Sequence, residues 1–149
     1  MGSELKLVFR GKPISWKRPC PVRPVKFFDS QRKEKETLRD SVKRQSKKHF
    51  GDCPIEVLLL SFKEGRPDQE NHFDTKIPDA DNYVKFYLDA LSKISYTDDR
   101  FIVKLTVEKK LSADPRVELL IRPAISTNKI LSIQDFLNKE SVGTKLDAN

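Results

Sequence analysis

Four aspartates and one lysine carry the chemistry that this sequence offers. Asp79 and Asp81 stand two residues apart in Pro78-Asp79-Ala80-Asp81-Asn82-Tyr83-Val84-Lys85, and Asp98-Asp99 follows, with Asp99 eighteen residues past Asp81. Magnesium takes hard oxygen ligands in near-octahedral geometry and keeps several waters, which suits a small group of carboxylates. Asp79 and Asp81 can aim at one ion where the backbone between them is extended. A helix opening at that point adds the positive end of its dipole, which favours clustered carboxylates and phosphate. Lys85 is four residues beyond Asp81 and so shares its helix face, where it could contact a phosphate. Asp99 has to arrive from the turn ahead of the next strand. A divalent ion held by such a set makes water more acidic and neutralises charge building on phosphorus. Spacing does not choose between one ion and two. The plainer reading makes Asp-Ala-Asp-Asn a helix cap and Asp-Asp-Arg a turn, and short motifs of both kinds are common.

The elements that must position these groups follow from hydrophobic pattern and turn residues. Leu5–Arg10 alternates as a first strand, stopped by Gly11 and Pro13. Residues 12–26 form a proline-rich basic segment, extended because proline fixes its backbone and removes donors. With Trp16 inside it, the segment reads as a DNA-facing arm carrying Lys12, Lys17, Arg18, Arg23 and Lys26; the alternative is a rigid surface loop pinned by Trp16. Asp29 or Ser30 caps a helix running to about His49. Its polar face is crowded with Arg32, Lys33, Lys35, Arg39 and further cations, while Leu38 and Val42 face inward. Ile55–Phe62 is an apolar run expected to be a central strand buried on both faces. Residues 64–78 are a polar loop, and its lone His72 reads as solvated. Asp81 or Asp79 caps a second helix over 81–93, with Val84, Tyr87, Leu88 and Leu91 as its buried stripe. Phe101–Val107 alternates as a strand, and Pro115 opens another, Arg116–Ile121. The order predicts a small α+β domain with helices on a mixed sheet. Residues 1–123 form that domain and 124–149 a tail. In the tail, Ile133, Phe136 and Leu137 have the spacing of a degenerate sliding-clamp peptide, or of a helix packed on its own domain or a second subunit.

Bulk properties narrow the class. The 149 residues are enough for one domain with a real core. With 37% hydrophobic residues, no apolar run approaches membrane-spanning length, and the start carries no apolar signal core. The expectation is a soluble intracellular protein of a DNA-containing compartment, with no membrane partner. Cys20 and Cys53 make no disulfide framework and have no zinc spacing. The net charge of +7 is unevenly divided: residues 1–50 hold 15 Lys/Arg against 5 Asp/Glu, a balance of +10, and the remainder holds 14 against 17, a balance of −3. A chain that grips a polyanion with one part and holds cations with another would be divided in this way.

Taken together, Pro78–Lys85, then Leu88-Asp89-Ala90-Leu91, then Tyr96-Thr97-Asp98-Asp99-Arg100-Phe101-Ile102-Val103 resembles the RusA family of Holliday-junction resolvases. Trp16-Lys17-Arg18-Pro19 and Pro115-Arg116-Val117-Glu118 extend the likeness over roughly residues 5–122. The resemblance implies a homodimeric, magnesium-dependent endonuclease, with manganese as a substitute ion. Its substrate would be a four-way DNA junction, cut by paired symmetric nicks. By position, Asp79, Asp81 and Asp99 become the metal-binding and catalytic carboxylates, Asp98 the alternative to Asp99, and Lys85 the catalytic cation. The DNA-binding candidates are Lys12, Lys17, Arg18, Arg23, Lys26, Arg32 and Lys33. The loop 64–78 departs from the family pattern by its length and polarity. Two other functions stay open on sequence grounds: a non-catalytic binder or adaptor of branched DNA, and a nuclease for flaps, forks or RNA.

Overall fold

The computed structural model describes residues 4–22, 26–125, 133–134 and 137–138. Its elements are β1 (Leu5–Arg10), β2 (Cys20–Val22), β3 (Lys26–Phe28), α1 (Arg32–Gln45), β4 (Ile55–Glu64), α2 (Ala80–Leu91), β5 (Ile102–Ser112) and β6 (Arg116–Pro123). Single 3-10 turns lie at Pro67–Gln69 and Asp99–Phe101. Four strands form one sheet in the order β1-β6-β4-β5. β1 and β4 both run antiparallel to β6, while β4 and β5 are parallel. The mixed sheet with two helices is the α+β fold implied by the sequence. A parallel pair needs a crossover, and α2 supplies it between β4 and β5.

Alternation does its expected work in β1, where Leu5, Leu7 and Phe9 turn inward and Lys6, Val8 and Arg10 outward. β4 corrects an expectation. Ile55, Val57 and Leu59 are fully buried, but Leu58 and Leu60 on the other face are only half-buried. The core gathers on one side of the sheet, where Leu38 and Val42 of α1 and Phe86, Tyr87, Ala90 and Leu91 of α2 meet β1, β4 and β6. The helices cover that face alone. Truncating Leu59 to alanine should therefore destabilise the domain by about 2–5 kcal/mol, because a central strand flanked on both sides cannot close over the void. Chemical denaturation of Leu59→Ala against the parent checks this, and Leu58→Ala should cost clearly less.

Both helices start and stop for reasons that lie outside their own stretch. α1 begins at Arg32, with Gln31 in the cap position where Asp29 or Ser30 was expected, and ends at Gln45, short of His49. Gln31 is drawn away by the arm: its Oε1 accepts from Lys17 N at 2.7 Å and its Nε2 donates to Ser15 O at 2.7 Å. α2 runs Ala80–Leu91, capped by Asp79, and stops before Lys93, which takes a left-handed conformation (φ 70°). The arm is extended as expected, but its second half pairs with itself: β2 and β3 form a two-stranded antiparallel sheet with Pro21 opposite Phe27.

The loop 64–78 is strapped to the free edge of β5. Asn71 N donates to Leu111 O at 2.9 Å, Leu111 N to His72 O at 2.8 Å and Asp74 N to Lys109 O at 2.9 Å. Phe73 thereby bridges Lys110 in antiparallel sense. Among the described residues no helix is long and apolar enough to cross a membrane. In the tail, Ile133 is 79% exposed and Leu137 53% exposed; Phe136 lies outside the described residues.

Candidate active site

Asp81, Lys85 and Asp89 recur at four-residue spacing and form one row along α2. The row faces the start of β5 across an open depression of about 650 Å³. Asp81, Lys85, Asp89 and Asp99 stand on its walls, and Val84, Leu88, Val103 and Leu105 line its apolar part. The apolar residues explain the placement: Val84 and Leu88 are buried and anchor α2 against the sheet, which leaves positions 81, 85 and 89 at the rim.

Asp99 arrives from the turn before β5, as the sequence suggested. Tyr96, fully buried, places its hydroxyl 2.8 Å from Leu88 O and 3.0 Å from Asp99 Oδ1. Desolvation by burial raises the Asp99 carboxyl above its ordinary value; the Tyr96 hydrogen bond opposes the rise, and the Asp89 and Asp98 charges add to it. Burial, then the neighbouring Asp99, pushes the Tyr96 hydroxyl up in turn. Of the adjacent pair, Asp98 lies outside the depression: its Oδ1 accepts from Arg100 N at 2.9 Å and caps the turn.

The upward shift of Asp99 has a testable sign. A carboxyl raised in the folded state favours the fold below its unfolded pKa, and that contribution fades as pH rises through the folded value. A carboxyl ¹³C titration should give an Asp99 midpoint above that of an exposed aspartate. Asp89→Asn should lower it, because one repelling charge is gone, and added magnesium should lower it further. An unmoved midpoint in Asp89→Asn would remove the electrostatic coupling across this depression.

Asp81 and Asp99 share the walls of the depression. Asp79 occupies the α2 cap with no side-chain cap hydrogen bond and stands outside the walls of the depression. Asp81 and Asp89 are two turns apart, about 12 Å along the axis at 1.5 Å per residue, and Asp89 is the member that acts on Asp99. Among the described residues no three histidine, cysteine or acidic side chains gather into a ready metal-ligand group. The donor types do fit a hard cation: the depression's potential ligands are carboxylates alone, and Asp89 and Asp99 carry mutually repelling charge that a divalent ion would relieve.

The cations divide into two groups. Lys12 and Lys33 are exposed and share a second depression, of about 650 Å³, with Arg10 and Arg44. Lys17 and Arg18 project from the arm, and Arg32 is exposed but paired with Glu36 at 3.1 Å. Arg23 lies outside the described residues, as does the side chain of Lys26. Two α1 cations read as part of the polyanion-facing surface are otherwise engaged. Lys35 is 11% exposed in its side chain and reaches Asp29 at 2.9 Å and Asp89 at 3.9 Å. Arg39 donates from Nε to Ala90 O at 3.0 Å, near the carbonyl end of α2. His72 is exposed, as expected.

Sequence reasoning missed Asp89 as a member of the site. Its signal was present: Asp81, Lys85 and Asp89 are successive i,i+4 positions, a row that helical periodicity brings to one face. It also missed the partner of Lys85, whose Nζ lies 3.8 Å from the centre of the Trp16 ring. No local pattern links residues 16 and 85.

With this geometry in view, the comparison with known families decides the lineage. A family model described as endodeoxyribonuclease RusA matches residues 24–122. The chain belongs to the RusA family. The RusA match takes in both helices, β4, β5 and nearly all of β6, so every aspartate of the site and Lys85 lie inside it, whereas β1 and Trp16 precede it. RusA proteins are endodeoxyribonucleases by the description of their family. The chain is also similar to a protein of Bacillus subtilis (strain 168), the uncharacterized protein YqaN, at 52% identity over 75 residues. That match spans 50% of this chain and 53% of the relative's length.

Proposed function

We propose that the protein is a magnesium-dependent endonuclease that resolves four-way DNA junctions by paired symmetric nicks, acting as a homodimer. The observation that carries the reading is the shared depression of Asp81, Lys85, Asp89 and Asp99, inside the RusA match and beside a basic arm. In this reading Asp79, Asp81 and Asp99 hold the ion, joined by Asp89, and manganese can replace magnesium. When bound, magnesium supplies charge neutralisation at the phosphate and a more acidic water. The chain's own residues do the rest. Lys85 presents its ammonium to a phosphate oxygen on which charge develops. The N-terminus of α2, the positive end of its dipole, favours a phosphate at the Asp81 end. Lys12, Lys17, Arg18, Arg23, Lys26, Arg32 and Lys33 contact the backbone of the arms, an attraction that weakens as salt rises. The reading assigns residues 1–123 to the nuclease unit and 124–149 to a tail.

Homodimerism has a physical motive here. One chain spreads Asp81 and Asp89 about 12 Å apart along α2, and a second copy can bring its own carboxylates to either end of the row. Two coordinated nicks also need two sites. The decisive experiment incubates purified protein with a labelled mobile four-way junction, a fork, a flap and linear duplex, with magnesium and without. The proposal expects symmetric nicks in the junction alone, only with the divalent ion, from a species of twice the chain mass by light scattering. Binding with no cleavage under magnesium or manganese would instead mark a non-catalytic junction binder.

A further inference from the structure

We infer that Trp16 is the positioning residue of Lys85, holding its ammonium at the rim of the acidic depression through a cation–π contact. The inference rests on the reading of Lys85 as the phosphate-facing cation. The Lys85 Nζ lies 3.8 Å from the ring centroid of Trp16, and indole is the strongest aromatic face for a cation. Asp81 precedes Lys85 by one helical turn, the order that favours an ion pair. Among the described residues, however, no carboxylate pairs with Lys85, and Trp16 holds it instead.

The two partners would leave different cations behind. A carboxylate would cancel the charge and occupy N–H donors. The indole face attracts the ammonium without accepting a charge-neutralising bond, so the charge and donors remain for a phosphate oxygen. A long, flexible lysine stem needs such a support to keep one place.

The ring packs, partly buried, against the core, and the backbone that carries it is fixed from several sides. Trp16 N donates to Asn82 O at 2.9 Å, which ties it to the first turn of α2. Gln31, 2% exposed, grips the residues on either side through Ser15 O and Lys17 N, each at 2.7 Å. Ile14 N donates to the Tyr87 hydroxyl at 3.1 Å. Residues 14–17 are thus fastened to both helices, and the base of the basic arm is also the seat of the lysine in the site.

The chain contains a single tryptophan, so biosynthetic incorporation of fluorinated tryptophans alters this ring alone. Fluorine drains the ring's negative face in steps with little change in size. In the full-length protein, kcat on a four-way junction should fall stepwise from mono- to di- to trifluoro-tryptophan, with KM and Tm unchanged. Trp16→Leu should lower kcat by roughly five- to thirtyfold, the range of a cation–π contact, and Trp16→Phe should recover part of it. The ¹⁹F resonance of the labelled ring should shift in Lys85→Met, which reports the contact without any turnover. A flat fluorine series overturns the inference. If Lys85→Met is inactive while the series is flat, only the positioning role falls. If Lys85→Met cleaves at the parental rate, the reading of Lys85 falls and takes this inference with it.

Discussion

Asp81→Asn should cleave a four-way junction slower than the parent by roughly 10³-fold or more in magnesium, because a neutral amide removes the charge that a divalent ion at the phosphate needs beside it. Junction affinity should stay close to that of the parent, since the basic arm and α1 supply the phosphate contacts in the proposed reading. The fold should also be unaffected. Asp81 is exposed, and no side-chain hydrogen bond or ion pair holds it among the described residues. Single-turnover cleavage with end-labelled junction, next to a gel shift in calcium, measures both quantities on one preparation. Cleavage within tenfold of the parent would remove Asp81 from the machinery.

Lys85→Ala is expected to lower kcat by roughly 10²–10³, the usual loss when one preorganised charge is taken from a developing phosphate oxyanion. KM should move little, because Lys85 is one cation beside the many that bind the backbone. Lys85→Arg should restore activity only in part: a planar guanidinium cannot set a compact ammonium on the same spot. Steady-state kinetics with saturating junction separates the two parameters. A large KM effect with unchanged kcat would make Lys85 a binding residue.

What was legible in the sequence is what depends on neighbours along the chain. The strand β1 and the stripe of Val84, Tyr87, Leu88 and Leu91 follow from periods of two and 3.6 residues, and the α+β class follows from their order. Asp99 could be assigned to a turn ahead of a strand because the turn residues are local. The features that escaped depend on distant residues. Gln31 stands at the start of α1 with its side-chain amide held by the arm, and Lys85 rests on a tryptophan from a distant part of the chain. The two faces of β4 look alike in sequence, yet both helices pack on one of them. Asp79 and Asp81 are close in sequence, yet only Asp81 stands with Asp99 on the walls of the depression.

The strapped loop has a consequence for how this protein behaves in a crowded cell. β5 is an eleven-residue strand at the border of the sheet, long enough to recruit the backbone of a stranger into an aggregate. Residues 71–74 already occupy its far half, and what remains bare is interrupted by Lys104, 67% exposed in its side chain. The loop therefore works as a selvedge. It finishes the border of the sheet, so that a long edge strand does not invite fibrillar growth.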